Sequence, residues 1–338
     1  MAKVSDFIDA PPAAWTGRHD GAGEEHLRWH ERVRLLGEDS QNDAADVTVL
    51  GFASDEGVER NQGRRGAAEG PAAIRSALGS LSLLAPVASI DLADAGDVTV
   101  TDDRLEEGQE RLGQAVAAVI DSGSLPIVLG GGHEIAFGTY RGVARSARRS
   151  APGQGSENKP AKFGVLNLDA HFDLRSAPRA TSGTGFRQLL ELEEEQGSEV
   201  SYAVVGISEA ANTQTLFDTA EKYRVKYLLD TDCGVTRRAE VLDFVQSFLA
   251  ENDLIYLTVD LDVLPAATAP GVSAPAARGV HLEIIEAVCD LVAASPKLAA
   301  ADIAELNPAF DLDGRTAKTA ARLAHRIATH HFERKIHD

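Results

Sequence analysis

Cysteine is almost absent from this chain of 338 residues, which has only Cys233 and Cys289. Two distant cysteines give no disulfide framework, and such scarcity fits a reducing compartment. Cys289 falls in the apolar pattern Leu282, Ile285, Cys289, Val292 and is expected in a helix core. No apolar run reaches the roughly 18 residues of a membrane-spanning helix. From Met1 to Pro12 no basic start leads into an apolar stretch, so no secretory signal is visible and a cytoplasmic location is expected. Positive charge is the scarcer sign: 33 Lys and Arg stand against 52 Asp and Glu, for a net charge of −19. This balance disfavours nucleic acid and anionic membranes as partners. An anionic small molecule would need locally placed arginines. Aromatic residues make up only 5% of the chain, yet both tryptophans, Trp15 and Trp29, lie in the polar first 45 residues. That segment reads as a surface arm pinned by two aromatic anchors.

Hydrophobic residues, at 43%, are sufficient for a large core. Short apolar runs read as strands at Val47–Phe52, Val87–Leu92, Ile127–Leu129, Phe163–Leu168, Tyr202–Ile207, Val225–Leu229, Leu254–Val259 and Ala301–Leu306. Helical periodicity fills Asp102–Ser122, Glu134–Arg145, Thr236–Ala250, His281–Ala294 and Asp313–Phe332, and Gly70-Pro71 opens another helix. Strand–helix alternation without an internal repeat predicts an α/β fold with a mostly parallel sheet covered on both faces. Residues 150–161 read as a surface loop, and 53–67 as a long glycine-rich charged loop suited to binding. His325, His330 and His331 read as part of a solvated helix face. The expected division is an arm over 1–45 and one catalytic domain over 46–338.

Three stretches carry chemistry. Asp169-Ala170-His171-Phe172-Asp173 follows an apolar strand, and alternate positions of extended chain point the same way. Gly130-Gly131-Gly132-His133-Glu134 joins a strand to a helix through a turn that bends tightly and lets a ligand approach. It lacks the Lys-Ser or Lys-Thr of a phosphate loop. Asp260-Leu261-Asp262 closes a third strand. Taken singly, each has a bland reading as an acidic turn, a helix start or a solvated strand end. Together they set two histidines and four aspartates at strand ends, where ligand sites of parallel sheets lie. Six such groups exceed what one zinc needs and suit two divalent ions sharing carboxylates.

At these residues the chain resembles the ureohydrolases, the family of arginase, agmatinase and formimidoylglutamase. The three motifs occur in that family's order. The resemblance implies a three-layer αβα, arginase-like fold and two Mn2+ ions per subunit, held by His133, Asp169, His171, Asp173, Asp260 and Asp262. The arm, the stretch Asp173-Leu174-Arg175 and the segment Ser182-Gly183-Thr184-Gly185-Phe186-Arg187-Gln188 look most like formimidoylglutamases. Gln62 and Gly185 depart from the usual glycine and proline of that pattern. The activity this resemblance implies is hydrolysis of N-formimidoyl-L-glutamate to L-glutamate and formamide, by attack of an activated water. Asp173 would carry the proton and Glu305 would hold the amidine. Arg175, Ser182, Arg187, Asn61 and Arg64 would contact the substrate, since arginine grips carboxylates through two charged hydrogen bonds. The family also implies a homotrimer or hexamer. The alternatives are an agmatinase-type amidinohydrolase releasing urea, deimination to formylglutamate with free ammonia, and a metal-binding protein without catalysis.

Overall fold

A computed structural model describes residues 3–37, 44–151, 153 and 160–337. The expected loop over 150–161 falls largely outside them. Among the described residues there are nine strands: β1 (Arg34–Leu35), β2 (Val47–Ala53), β3 (Leu92–Thr99), β4 (Leu125–Gly130), β5 (Phe163–Leu168), β6 (Val200–Ile207), β7 (Lys226–Leu229), β8 (Leu254–Asp260) and β9 (Leu298–Ala304). They form one sheet in the order β1-β3-β2-β4-β9-β8-β5-β6-β7, and every pairing is parallel.

The four central strands are buried along their whole length, as expected of a sheet covered on both faces. Adjacent strand residues divide between two cores. Val49, Leu129, Leu166 and Leu257 pack with Ile74, Val288 and Leu323 from the helices Gly70–Gly79, Leu282–Ala293 and Arg315–His337. Leu50, Val128, Val165 and Tyr256 pack with Leu112, Tyr140 and Leu189 from Leu105–Asp121, Ile135–Arg145 and Gly185–Glu195. The result is the expected three-layer αβα fold, with a strictly parallel sheet.

Three local expectations change. The strand expected at Val87–Leu92 is a 3-10 turn at Val87–Ser89, and the strand starts at Leu92. Asp94, Gly96 and Asp97 disguised it, because Asp94 and Asp97 are held by Arg75 and Asp94 also accepts from the Trp15 indole. The supposed loop over 53–67 contains the helix Glu56–Arg60. The C-terminal histidines are not a solvated face. His331 is buried, and His325 accepts a 2.9 Å hydrogen bond at Nδ1 from Trp29 Nε1. Trp29 is fully buried and stacks on Trp15 at 6.2 Å, so the arm is anchored as its aromatics suggested. No helix among the described residues is long and apolar enough to cross a membrane.

Candidate metal centre

Sheet order places the motifs together. β4, β9, β8 and β5 are neighbours, and their carboxyl ends lead to His133, Glu305, Asp260 and Asp169. The triple glycine at the end of β4 is required by packing. A Cβ on Gly131 would lie 1.8 Å from the Ser54 carbonyl oxygen, and one on Gly130 would lie 2.9 Å from that of Ile303. The run therefore packs backbone against backbone and delivers His133, rather than cradling a ligand itself.

Two overlapping groups of side chains result. His133, Asp169, Asp173 and Asp260 form one, and Asp169, His171 and Asp262 form the other. Nδ1 of His133 lies 3.1 Å from Asp169 Oδ2, 3.0 Å from Asp173 Oδ2 and 3.1 Å from Asp260 Oδ2. Nδ1 of His171 lies 3.0 Å from Asp262 Oδ2 and 3.5 Å from Asp169 Oδ1. Both Asp-x-(His/Asp) motifs close in the same way. Asp169 Oδ1 accepts from the His171 amide at 2.7 Å, and Asp260 Oδ1 accepts from the Asp262 amide at 2.8 Å. Asp173 does not sit in plain extended chain: its φ is +49°, and that of Glu305 is +72°. Such angles cost non-glycine residues about 1–3 kcal/mol each and persist where surrounding structure enforces them, often at functional sites.

The electrostatics call for added positive charge. Burial opposes a charged His133, but Asp169, Asp173 and Asp260 prevail and hold its pKa well above the ordinary value. Asp262, then Asp169, raise His171 likewise. Burial and neighbouring carboxylates push Asp173 and Asp260 up, whereas Asp169, placed between both imidazoles, is held low despite its burial. His133 Nδ1 and Asp262 Oδ1 are buried and make no aligned hydrogen bond. Oxygen donors with imidazole nitrogens, crowded and unsatisfied, fit hard-to-borderline divalent cations such as manganese.

Around this cluster, Glu305 Oε1 accepts from the His133 amide at 2.8 Å, and burial together with Glu134 raises its pKa to about 8. Asn61 Nδ2 donates to Ser182 Oγ at 3.2 Å. A Cβ at Gly183 would meet Arg175 Cδ at 2.8 Å and Asn61 Nδ2 at 3.1 Å, so Asn61, Ser182 and Arg175 form one wall. Arg187 lines the same groove of about 250 Å3 as Arg175, but its Nε pairs with Glu191 Oε1 at 2.7 Å. Arg64 is engaged elsewhere: its guanidinium donates to the Val272 carbonyl and stacks 3.8 Å over the Phe310 ring. A second cavity, of about 560 Å3, opens over His171 with Arg278 on its lining.

Sequence reasoning missed the polar residues that support the clustered side chains. Asn167 Nδ2 donates to Asp169 Oδ2 at 2.9 Å, and His133 Nε2 lies 2.9 Å from Thr258 Oγ1. Asn167 and Thr258 each precede a clustered aspartate by two positions, so strand alternation was the available signal. Arg278 offered none.

The comparisons with known proteins agree with this geometry. The arginase family profile matches residues 45–329. A formimidoylglutamase of Rhodococcus opacus is 58% identical over 319 residues, covering 94% of this chain and 96% of that protein. A formimidoylglutamase of Ralstonia nicotianae is 48% identical over 321 residues, covering 94% and 95%. The solved Trypanosoma cruzi formiminoglutamase with Mn2+2 superposes with a TM-score of 0.73 at 28% identity, over 86% of this chain and 95% of that one. By profile, sequence and fold alike, the chain belongs to the arginase family.

Proposed function

We propose that the protein hydrolyses N-formimidoyl-L-glutamate to L-glutamate and formamide. The observation that carries this reading is the double cluster of histidines and aspartates at the ends of β4, β8 and β5. The formimidoylglutamases among the relatives support it. His133, Asp169, Asp173 and Asp260 would hold one Mn2+, and Asp169, His171 and Asp262 the other. When bound, such a pair would acidify water and offset negative charge on the heteroatoms of the tetrahedral adduct.

The chain's own groups do the rest. Asp173 takes a proton from the attacking water and hands it to the departing glutamate nitrogen. Water adds to the formimidoyl carbon, the bond from that carbon to the glutamate nitrogen breaks, and formamide leaves. Glu305 has one oxygen tied to the His133 amide, and its other oxygen receives an amidine N–H. Arg175 pairs with a substrate carboxylate, which a chain of net charge −19 would otherwise repel. Ser182 and Asn61 fix the same end of the substrate. Arg187 and Arg64 would join only by leaving Glu191 and Val272.

The reading includes the division into an arm over 1–45 and a catalytic domain over 46–338, a cytoplasmic location and a homotrimer or hexamer, the last checked by sedimentation. The decisive assay measures formamide from N-formimidoyl-L-glutamate, with Mn2+ and after chelation. Manganese-dependent release of formamide is expected. Urea from agmatine without formamide from the glutamate compound would overturn the substrate, and free ammonia with formylglutamate would overturn the bond cleaved.

A further inference from the structure

Arg60 closes the short helix Glu56–Arg60, one residue before Asn61, and its side chain is only 11% exposed. A guanidinium carries five N–H donors in a fixed fork. All five are engaged here. Nε donates to Glu56 Oε1 at 2.9 Å. Nη1 donates to Glu106 Oε1 at 2.7 Å and to the Ala180 carbonyl at 3.0 Å. Nη2 donates to the Asp103 carbonyl at 2.6 Å and to Glu106 Oε2 at 3.4 Å. One side chain thus joins three segments distant in sequence, at 56–60, 103–106 and 180. Glu106 is half exposed, so its ion pair alone would hold little. The bonds to two backbone carbonyls are what tie the segments together.

Two of those segments carry Asn61 and Ser182. Arg60 reaches the Ala180 carbonyl, and the next residue, Asn61, donates from Nδ2 to Ser182 Oγ at 3.2 Å. Neighbouring residues at the helix end thus meet alternate residues of the loop. The start of the helix is fixed separately, because Ser54 Oγ and the Gly57 amide donate to the buried Glu134 at 2.7 and 3.0 Å. The far side of the loop is fixed as well. Its Gly183 carbonyl accepts from the Arg175 amide at 2.9 Å, and the Phe186 ring meets the His133 ring edge-on at 5.2 Å. Between these fixed ends, Asn61 and Ser182 share one neutral bond, weaker than a charge-assisted one. We propose that Arg60 is a positioning residue: by locking the helix end to the loop at Ala180, it sets the separation of Asn61 and Ser182 and so the fit of the substrate's glutamate end. A displacement of about 1 Å in such a wall can cost roughly 100-fold.

The inference rests on the proposed function, in which Asn61 and Ser182 hold the glutamate end of the substrate. The test measures formamide release from N-formimidoyl-L-glutamate, and Mn2+ affinity by calorimetry, in the parent, Arg60→Met, Arg60→Lys, Asn61→Ala and the double variant of the last two. Lysine keeps the charge beside Glu56 and Glu106, but its three donors sit on one nitrogen and cannot span the three segments. Arg60→Met and Arg60→Lys should each raise KM about 10–100-fold, with kcat and Mn2+ affinity within about threefold of the parent. Asn61→Ala should raise KM too. Adding Arg60→Lys to it should raise KM by no more than about threefold further, because both changes disable one wall. A parent-like KM in Arg60→Lys or in Asn61→Ala, a loss confined to kcat, Mn2+ affinity falling in step with turnover, or full multiplication of the single effects would each overturn the positioning role. Arg60→Lys carries the test where Arg60→Met fails to fold. A parent that releases no formamide sinks the substrate reading and the inference with it, whereas an active parent with a parent-like Arg60→Lys sinks the inference alone.

Discussion

His325 ties the last helix to the N-terminal arm, and its hydrogen bond makes a measurable prediction about pH. Trp29 Nε1 can only donate, so His325 Nδ1 must be an acceptor, which a protonated imidazole cannot be. Burial lowers the His325 pKa first, and Arg322, Arg326 and His330 lower it further, to about 4 from an ordinary 6.5. The unfolded chain therefore takes up a proton below pH 6.5, which the folded chain refuses until about pH 4. Stability from this group is complete above pH 6.5 and declines as pH falls to 4, at about 1.4 kcal/mol per pH unit. The whole loss is about 3 kcal/mol, a sizeable share of a typical folding free energy. The assay is urea unfolding at pH 7, 5.5 and 4, with metal chelated, for the parent and His325→Gln. Glutamine supplies a neutral acceptor for Trp29 and does not titrate. The variant should lose about 3 kcal/mol less than the parent between pH 7 and pH 4. Parallel losses in the two proteins would refute the argument, because other titrating groups are common to both.

Two further outcomes concern the centre itself. Asp260→Asn keeps an oxygen for the Asp262 amide but removes a negative charge 3.1 Å from His133 Nδ1. Metal content by mass spectrometry should fall together with turnover, by at least the roughly 100-fold seen when an outer partner is lost. Full occupancy with full activity would remove Asp260 from the site. Arg175→Ala deletes a charge-assisted hydrogen bond worth about 1.5–3 kcal/mol, so kcat/KM for N-formimidoyl-L-glutamate should drop roughly 10–100-fold, mainly through KM. An unchanged KM would move carboxylate recognition elsewhere, Arg278 over His171 being the next residue to test.

The sequence alone determined the layers and pointed to the six side chains that gather at the strand ends. Period-two and period-3.6 hydrophobicity belong to local backbone geometry, so β5 at Phe163–Leu168 and the helix at 105–121 were legible without any partner in view. The three ligand motifs were legible because side chains two apart near a strand end share a direction, and their joint identity was reinforced by resemblance. Polar strands were harder to read: β3 carries Asp94 and Asp97, whose charges make sense only beside Arg75.

Tertiary structure alone decided the rest. Strand order inserts β9 and β8 between β4 and β5, and so brings His133 to three aspartates from distant motifs. It also turned Arg64 to Phe310 and His325 to Trp29, and placed Asp302 beside Thr258. A side chain's partner is set by what lies across the fold, and chain-local patterns of hydrophobicity carry no information about that distance.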